Sequence, residues 1–179
     1  MKIKMIIAIL LLIISLNISA QSTKPKAFLD KYEDVTVELM KEYNIPASVI
    51  LGVSMLESGY GTSNVSQTKN NYFGVRSKKD GIWDYKKYEQ DIESFDDFCK
   101  VLERKKYYRK LTTEKVLDYK TWVDNIDNAG YAESEHWHPR VLSIVRKYEL
   151  YKIDEKINEY PLRDSTFVFN IWNIEYVTR

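Results

Sequence analysis

The fold turns on Ala47-Ser48-Val49-Ile50-Leu51-Gly52-Val53-Ser54-Met55-Leu56-Glu57-Ser58-Gly59-Tyr60-Gly61. Val49, Val53 and Leu56 recur at i, i+4 and i+7, the spacing of a helix that buries one apolar face. Pro46 stands where a helix starts, and Gly59 and Gly61 stand where one ends. Glu57 is therefore a carboxylate in the last turn of an apolar helix. The negative end of the helix dipole and apolar surroundings both disfavour its ionised form. A carboxylic acid kept protonated near neutral pH suits general-acid catalysis, such as protonation of a leaving sugar oxygen. The plain alternative is a helix-end Glu reaching into solvent.

Working outward, a helix is expected over Ala27 to Tyr43, with Phe28, Tyr32, Val35 and Leu39 on one stripe. Asn64–Lys69 reads as a polar loop or short helix. Asp80-Gly81 is a tight-hairpin signal, so a two-strand ribbon is expected over about 72–76 and 82–88. Ser94-x-x-Asp97 resembles a capping box opening a helix to about Lys105. Another helix is expected from Glu114 to Asn128, using Val116, Tyr119, Trp122, Val123 and Ile126, with Gly130 ending it. The last is expected to start late, because Pro139 fits only a first turn, and to bury Val141, Leu142, Val145 and Tyr148 before ending near Leu150. Five helices around a small ribbon make an α+β fold, mainly α.

Other words fall in a fixed order around Glu57. Glu57-Ser58-Gly59-Tyr60-Gly61 is followed by Asn70-Asn71-Tyr72-Phe73-Gly74-Val75-Arg76, then Tyr85-Lys86-Lys87-Tyr88, then Ser94-Phe95-Asp96-Asp97, then Asn128-Ala129-Gly130-Tyr131-Ala132. The order resembles the glucosaminidases of glycoside hydrolase family 73, whose pattern reads ESGWG, NNLFGIK, F-R-x-Y, S-x-x-D and AGYATDPxY. The likeness runs over about residues 27–152. It implies a lysozyme-like helical lobe with a small β-ribbon, cleaving the glycan strand of peptidoglycan as an endo-β-N-acetylglucosaminidase. By the same resemblance Glu57 is the general acid, Tyr131 lines the cleft beside it as a second catalytic residue, and Tyr72 and Phe73 form the cleft wall for substrate. A muramidase or lytic transglycosylase using the same Glu57 is the first alternative. A catalytically weak glycan-binding protein is the alternative of another class.

Two departures from the family pattern bear on mechanism. Members carry a longer β-lobe that can supply a second acid, whereas here the interval is only Val75 to Asp84. Asp84 is the better-placed candidate for a second carboxylate, and Asp80 is most simply the turn residue. Without a second carboxylate, the substrate's own 2-acetamido group or its C6 hydroxyl would attack. The other departure is Ala132-Glu133-Ser134-Glu135-His136-Trp137-His138-Pro139, which puts Trp137 at the family's Tyr position. Trp137 is a candidate for stacking on a sugar face or for packing. His136 and His138 lack partners at ligand spacing, so no metal site is expected.

The remaining composition bounds the setting. At 179 residues the chain suffices for one domain with a core. Lys2 and Lys4 precede the apolar run Met5 to Leu16, and Ile18-Ser19-Ala20 offers a cleavage point, so residues 1–20 read as a signal peptide and the mature chain as secreted or periplasmic. That run is short for a membrane span. Residues 1–20 carry two lysines and no acid, so a formal balance of +1 becomes −1 without them, which argues against nucleic acid as a partner. The single Cys99 reads as core beside Phe95 and Phe98 rather than as a nucleophile. Most of the 14 tyrosines are expected to pack, with Tyr72 and Tyr131 placed at the cleft. The chain is expected to act as a monomer on glycan strands, with no cofactor and no membrane contact after cleavage. Residues 21–152 form the expected domain, and 153–179 a strand-like extension through Thr166 to Val177.

Overall fold

The computed structural model describes residues 24–115 and 117–158. The signal peptide expected over residues 1–20, Val116 and the strand expected in the C-terminal extension lie outside them. Helix α1 spans 24–43 and buries Phe28, Tyr32, Val35 and Leu39, the stripe read from sequence. Helix α2 (Ala47–Ser58) follows and is the centre of the molecule.

Every residue of α2 from Ala47 to Met55 is buried, so it hides its whole circumference rather than one face. Small residues make this possible. Gly52 lets α7 (Trp137–Lys147) approach so closely that a Cβ there would lie 2.8 Å from a Val145 methyl. Two of the buried serine hydroxyls are satisfied within the helix, Ser54 donating to the Leu51 carbonyl at 2.8 Å and Ser58 to that of Ser54 at 2.6 Å. Helices α4 (Asp91–Glu103), α6 (Tyr119–Asn128), α7 and α8 (Tyr151–Asp154) pack around it.

The ends of α2 are fixed differently. Gly59, at φ 58, takes the left-handed conformation that closes a helix, and the Tyr60 N–H turns back to the Met55 carbonyl at 2.9 Å. Pro46 has no side-chain cap to offer at the start. Asp154 from α8 supplies one, accepting from the Ser48 N–H at 2.9 Å and from its hydroxyl at 2.5 Å. Ile153 and Asp154 are buried, and a 3-10 turn (Glu155–Asn158) continues α8. The start of the expected extension thus belongs to the helical domain.

The ribbon is shorter than its sequence suggests. Strands β1 (Arg76–Lys79) and β2 (Ile82–Tyr85) pair antiparallel with Arg76 opposite Tyr85 and Ser77 opposite Asp84. Asp80 and Gly81, at φ 51 and 85, form the turn. Residues 72–75 stay out of the ladder because the Asn71 side chain claims their backbone. Its Oδ1 accepts from the Val75 N–H at 3.1 Å, and its Nδ2 donates to the Val75 and Lys86 carbonyls at 2.8 and 2.9 Å.

Several helix boundaries also move. Helix α3 (Asn64–Lys69) resolves the polar stretch as helix. Helix α4 opens one turn before Ser94, because Glu93 accepts from the Gln90 N–H at 3.3 Å and acts as the acid of the cap. Ser94 and Asp97 are therefore inside the helix. Ser94 accepts from the Tyr72 N–H, and Asp97 receives Lys86 at 2.7 Å and the Tyr88 hydroxyl at 2.6 Å. Helix α5 (Lys106–Thr113) was not expected. Lys115 at φ 51 breaks the chain after it, and α6 begins only where Asp118 caps the Thr121 N–H at 3.0 Å. Pro139 occupies the first turn of α7, as anticipated, and α7 closes at Lys147.

Candidate active site

The last turn of α2 meets the first turn of α7 at a cavity of about 430 Å³. Glu57, Arg76, Glu133, Ser134, Trp137 and Arg140 are among its lining residues. Glu57 Oε1 accepts a hydrogen bond from the Trp137 indole N–H at 2.7 Å. Its other oxygen faces Gly74, whose φ of 65 needs glycine and where a Cβ would stand 4.0 Å from Oε2. One oxygen is thus held and the other is left open towards the ribbon. Burial raises the Glu57 carboxyl above its ordinary range, against the opposing pull of the Trp137 hydrogen bond and the Arg140 charge.

Trp137 is 4% exposed, so its ring packs rather than offering a broad stacking face. The tryptophan works through its edge, as the donor that orients Glu57. Tyr131 stands behind it, ring centroids 5.3 Å apart, and donates its hydroxyl to the Phe73 carbonyl at 3.2 Å. Burial, reinforced by the charge of Glu57, drives the Tyr131 phenol well above its usual pKa. The half-buried Tyr131 therefore keeps its proton and braces Trp137 against the Phe73 backbone.

Tyr72 and Phe73 do not form a cleft wall. Tyr72 is 8% exposed and lies edge-on to Tyr32 at 5.2 Å. Phe73 is 3% exposed and stacks on Phe98 at 4.2 Å. The tight turn at Asn71 points both rings into the core, and what Phe73 gives the site is its carbonyl.

The acids read from the ribbon are also displaced. Asp84 pairs with Ser77 on the strand face opposite to Arg76 and Tyr85, because adjacent side chains alternate. Lys69 holds both its oxygens, at 2.9 and 2.8 Å, and keeps the carboxyl below its usual range. Asp80 sits in the exposed turn. The ribbon instead sends Arg76 to the cavity, its guanidinium 5.2 Å from the Tyr85 ring centroid. Arg76, Glu133 and Arg140 escaped sequence reasoning. Arg76 ends the Asn-Asn-Tyr-Phe-Gly word, and Arg140 lies one helical turn after Trp137, so both had a positional signal. Glu133 had none. It is exposed, and among the described residues no hydrogen bond or ion pair fixes it. Nor does any group of three His, Cys, Asp or Glu among them have the arrangement to hold a metal. His138 instead meets Asp124 at 2.5 Å.

The family model described as mannosyl-glycoprotein endo-beta-N-acetylglucosaminidase matches residues 33–150. The chain belongs to this glucosaminidase family. Among curated relatives, it is 25% identical over 151 residues to the exo-glucosaminidase LytG of Bacillus subtilis. That match takes in 73% of the chain but 54% of the relative, so the chain spans about half its length. The fold of the glucosaminidase domain is shared with solved structures. The catalytic domain of the autolysin Auto from Listeria monocytogenes superposes with a TM-score of 0.62 at 22% identity, covering 73% of this chain and 88% of that one. The glycoside hydrolase domain of FlgJ from Salmonella typhimurium gives 0.57 at 20% identity, covering 75% and 93%. The fold, mainly helical with one small antiparallel ribbon, is shared with these neighbours.

Proposed function

We propose that this protein is a peptidoglycan hydrolase, an endo-β-N-acetylglucosaminidase in which Glu57 is the general acid. The observation that carries the reading is the setting of Glu57: a desolvated carboxyl, one oxygen fixed by Trp137, the other open to a cavity. Its proton passes to the glycosidic oxygen as the bond to the anomeric carbon breaks. The other half of the reaction falls to the substrate. The 2-acetamido oxygen attacks the anomeric carbon and closes a ring, water reopens it, and the water's proton returns to Glu57. This route is supported by Asp84 being turned to Lys69 and by the absence, among the described residues, of a partner that would position Glu133. Tyr131 contributes as a brace for Trp137. The site of action is the cell envelope, with residues 1–20 as the export segment.

The test is mass spectrometry of borohydride-reduced fragments from peptidoglycan digested by residues 21–179, beside Glu57→Gln. Reduced N-acetylglucosamine ends from the active form alone are the expected result. Reduced or anhydro N-acetylmuramic acid ends would transfer the protein to the muramidase or transglycosylase class. No fragments from either form, with binding retained, would make it a glycan-binding protein. Release of single sugars from strand ends is the second reading, motivated by the exo-glucosaminidase relative. Fragment lengths over time separate the two, since internal cuts shorten strands before monomers accumulate.

A further inference from the structure

A second cavity, about 270 Å³, adjoins the first along α7. Leu56 and Arg140 line both, so the two form a continuous depression around the end of α2. Arg140, Ser143 and Lys147 lie at i, i+3 and i+7 on α7 and present one exposed stripe to it. Tyr60 forms the facing wall, its ring edge-on to Tyr148 at 6.1 Å, with the Lys147 ammonium 5.2 Å from the Tyr148 ring centroid. No carboxylate among the described residues lines this cavity. Among the described residues neither Arg140 nor Lys147 is in a salt bridge with a carboxylate, although the Arg140 charge acts on Glu57 from the neighbouring cavity. In a chain whose charges nearly balance, two cations over one acid-free hollow are a local bias towards an anion.

In peptide-bearing strands the sugars that would occupy the Glu57 cavity are uncharged, because the lactyl carboxyl of each N-acetylmuramic acid is amide-bonded to its peptide branch. In peptidoglycan the carboxylates are carried by the peptide branches of alternate sugars. We propose that the second cavity is a subsite for a carboxylate of such a peptide branch, with Arg140 and Lys147 as its cationic ligands and Ser143 and Tyr60 as hydroxyl partners. The assignment rests on the glycan-cleaving reading of the first cavity. Arg140 serves both cavities, so a branch seated beside it fixes which sugar lies over Glu57. The protein then prefers peptide-bearing strands to bare ones.

The experiment compares kcat and KM on glycan strands carrying peptide branches with the same strands stripped of them and their exposed lactyl carboxyls capped as amides, for the parent and for Lys147→Glu. Lys147 is exposed and outside the Glu57 cavity, so the variant should fold, and its Tm checks this. The expected result is a rise in KM of about fivefold or more on peptide-bearing strands, with kcat and stripped-strand KM held within about twofold. The preference should shrink as salt is raised. Equal effects on both substrates, or none, would overturn the subsite. A parent that cleaves neither substrate would refute the hydrolase reading instead. Binding of both strand types to Glu57→Gln, with and without Lys147→Glu, then decides the subsite alone: selective loss on peptide-bearing strands supports it, and no selective loss rejects it.

Discussion

Trp137 and Glu57, 80 positions apart in the chain, are joined by an indole N–H donated to a carboxylate oxygen at 2.7 Å. The bond favours the ionised carboxylate, while burial favours the neutral acid, and burial dominates. The tryptophan sets the geometry of the acid and moderates its acidity.

Replacing Trp137 with Phe therefore has a signed consequence. Without the donor, the Glu57 carboxyl rises further, and the basic limb of the kcat/KM profile moves to higher pH. The activity plateau falls, because the held oxygen is now loose. Arg140→Ala should move the limb the same way, since its charge also lowers the Glu57 pKa. A limb displaced towards lower pH in Trp137→Phe would contradict this account. The check is a pH–rate profile on soluble glycan strands.

Asp84→Asn should leave kcat within about twofold, because its carboxylate is bound to Lys69 on the far face of the ribbon. Glu133→Gln should likewise retain most of kcat if the substrate's acetamido group is the nucleophile. Loss of kcat in Glu133→Gln, restored by added azide, would replace that route with a two-carboxylate mechanism.

The helix bearing Glu57 was legible because its ends carry strong local signals, Pro46 before it and Gly59 after it. Its centrality was not, since Ser48, Gly52 and Ser54 interrupt the apolar pattern and look like solvent positions until α7 and α8 close over them. It was the family resemblance that put Tyr72 and Phe73 on a cleft wall. Their word lies beside Glu57 in sequence, but the direction of each ring depends on how Asn71 folds the backbone. The partnership of Glu57 with Trp137 depends on the approach of α7, a long-range contact that no local spacing encodes.

Gly52 offers a direct test of that approach. A methyl group there would meet Val145 at 2.8 Å, inside any relaxed contact. Alanine gains up to about 1 kcal/mol in helix propensity, against an overpacking cost of about 1–3 kcal/mol. Gly52→Ala should therefore lower the Tm, and Val145→Ala in the same chain should recover part of the loss. The double variant should also recover activity, because α7 carries Trp137 and Arg140 to Glu57. An unchanged Tm in Gly52→Ala would mean that α7 yields without cost.

Asp154 makes the last prediction, which concerns stability rather than turnover. Burial pushes its carboxyl from an ordinary 3.8 to about 6, even though Ser48 donates two hydrogen bonds that pull the other way. The folded form therefore binds this proton more tightly than the unfolded chain does. The contribution of this group is fully present below the unfolded pKa and is lost as pH rises through about 6. The full span is worth on the order of 3 kcal/mol at most. Asp91 and Asp97, whose carboxyls are lowered by Lys31 and Lys86, slope the opposite way, so the parent's own profile mixes both signs. The difference between parent and Asp154→Asn isolates the group. Asparagine keeps an oxygen for the Ser48 N–H and cannot ionise, so urea unfolding should find the variant gaining on the parent between about pH 4 and pH 7. A difference that is flat with pH would show that Asp154 titrates as it does in the unfolded chain.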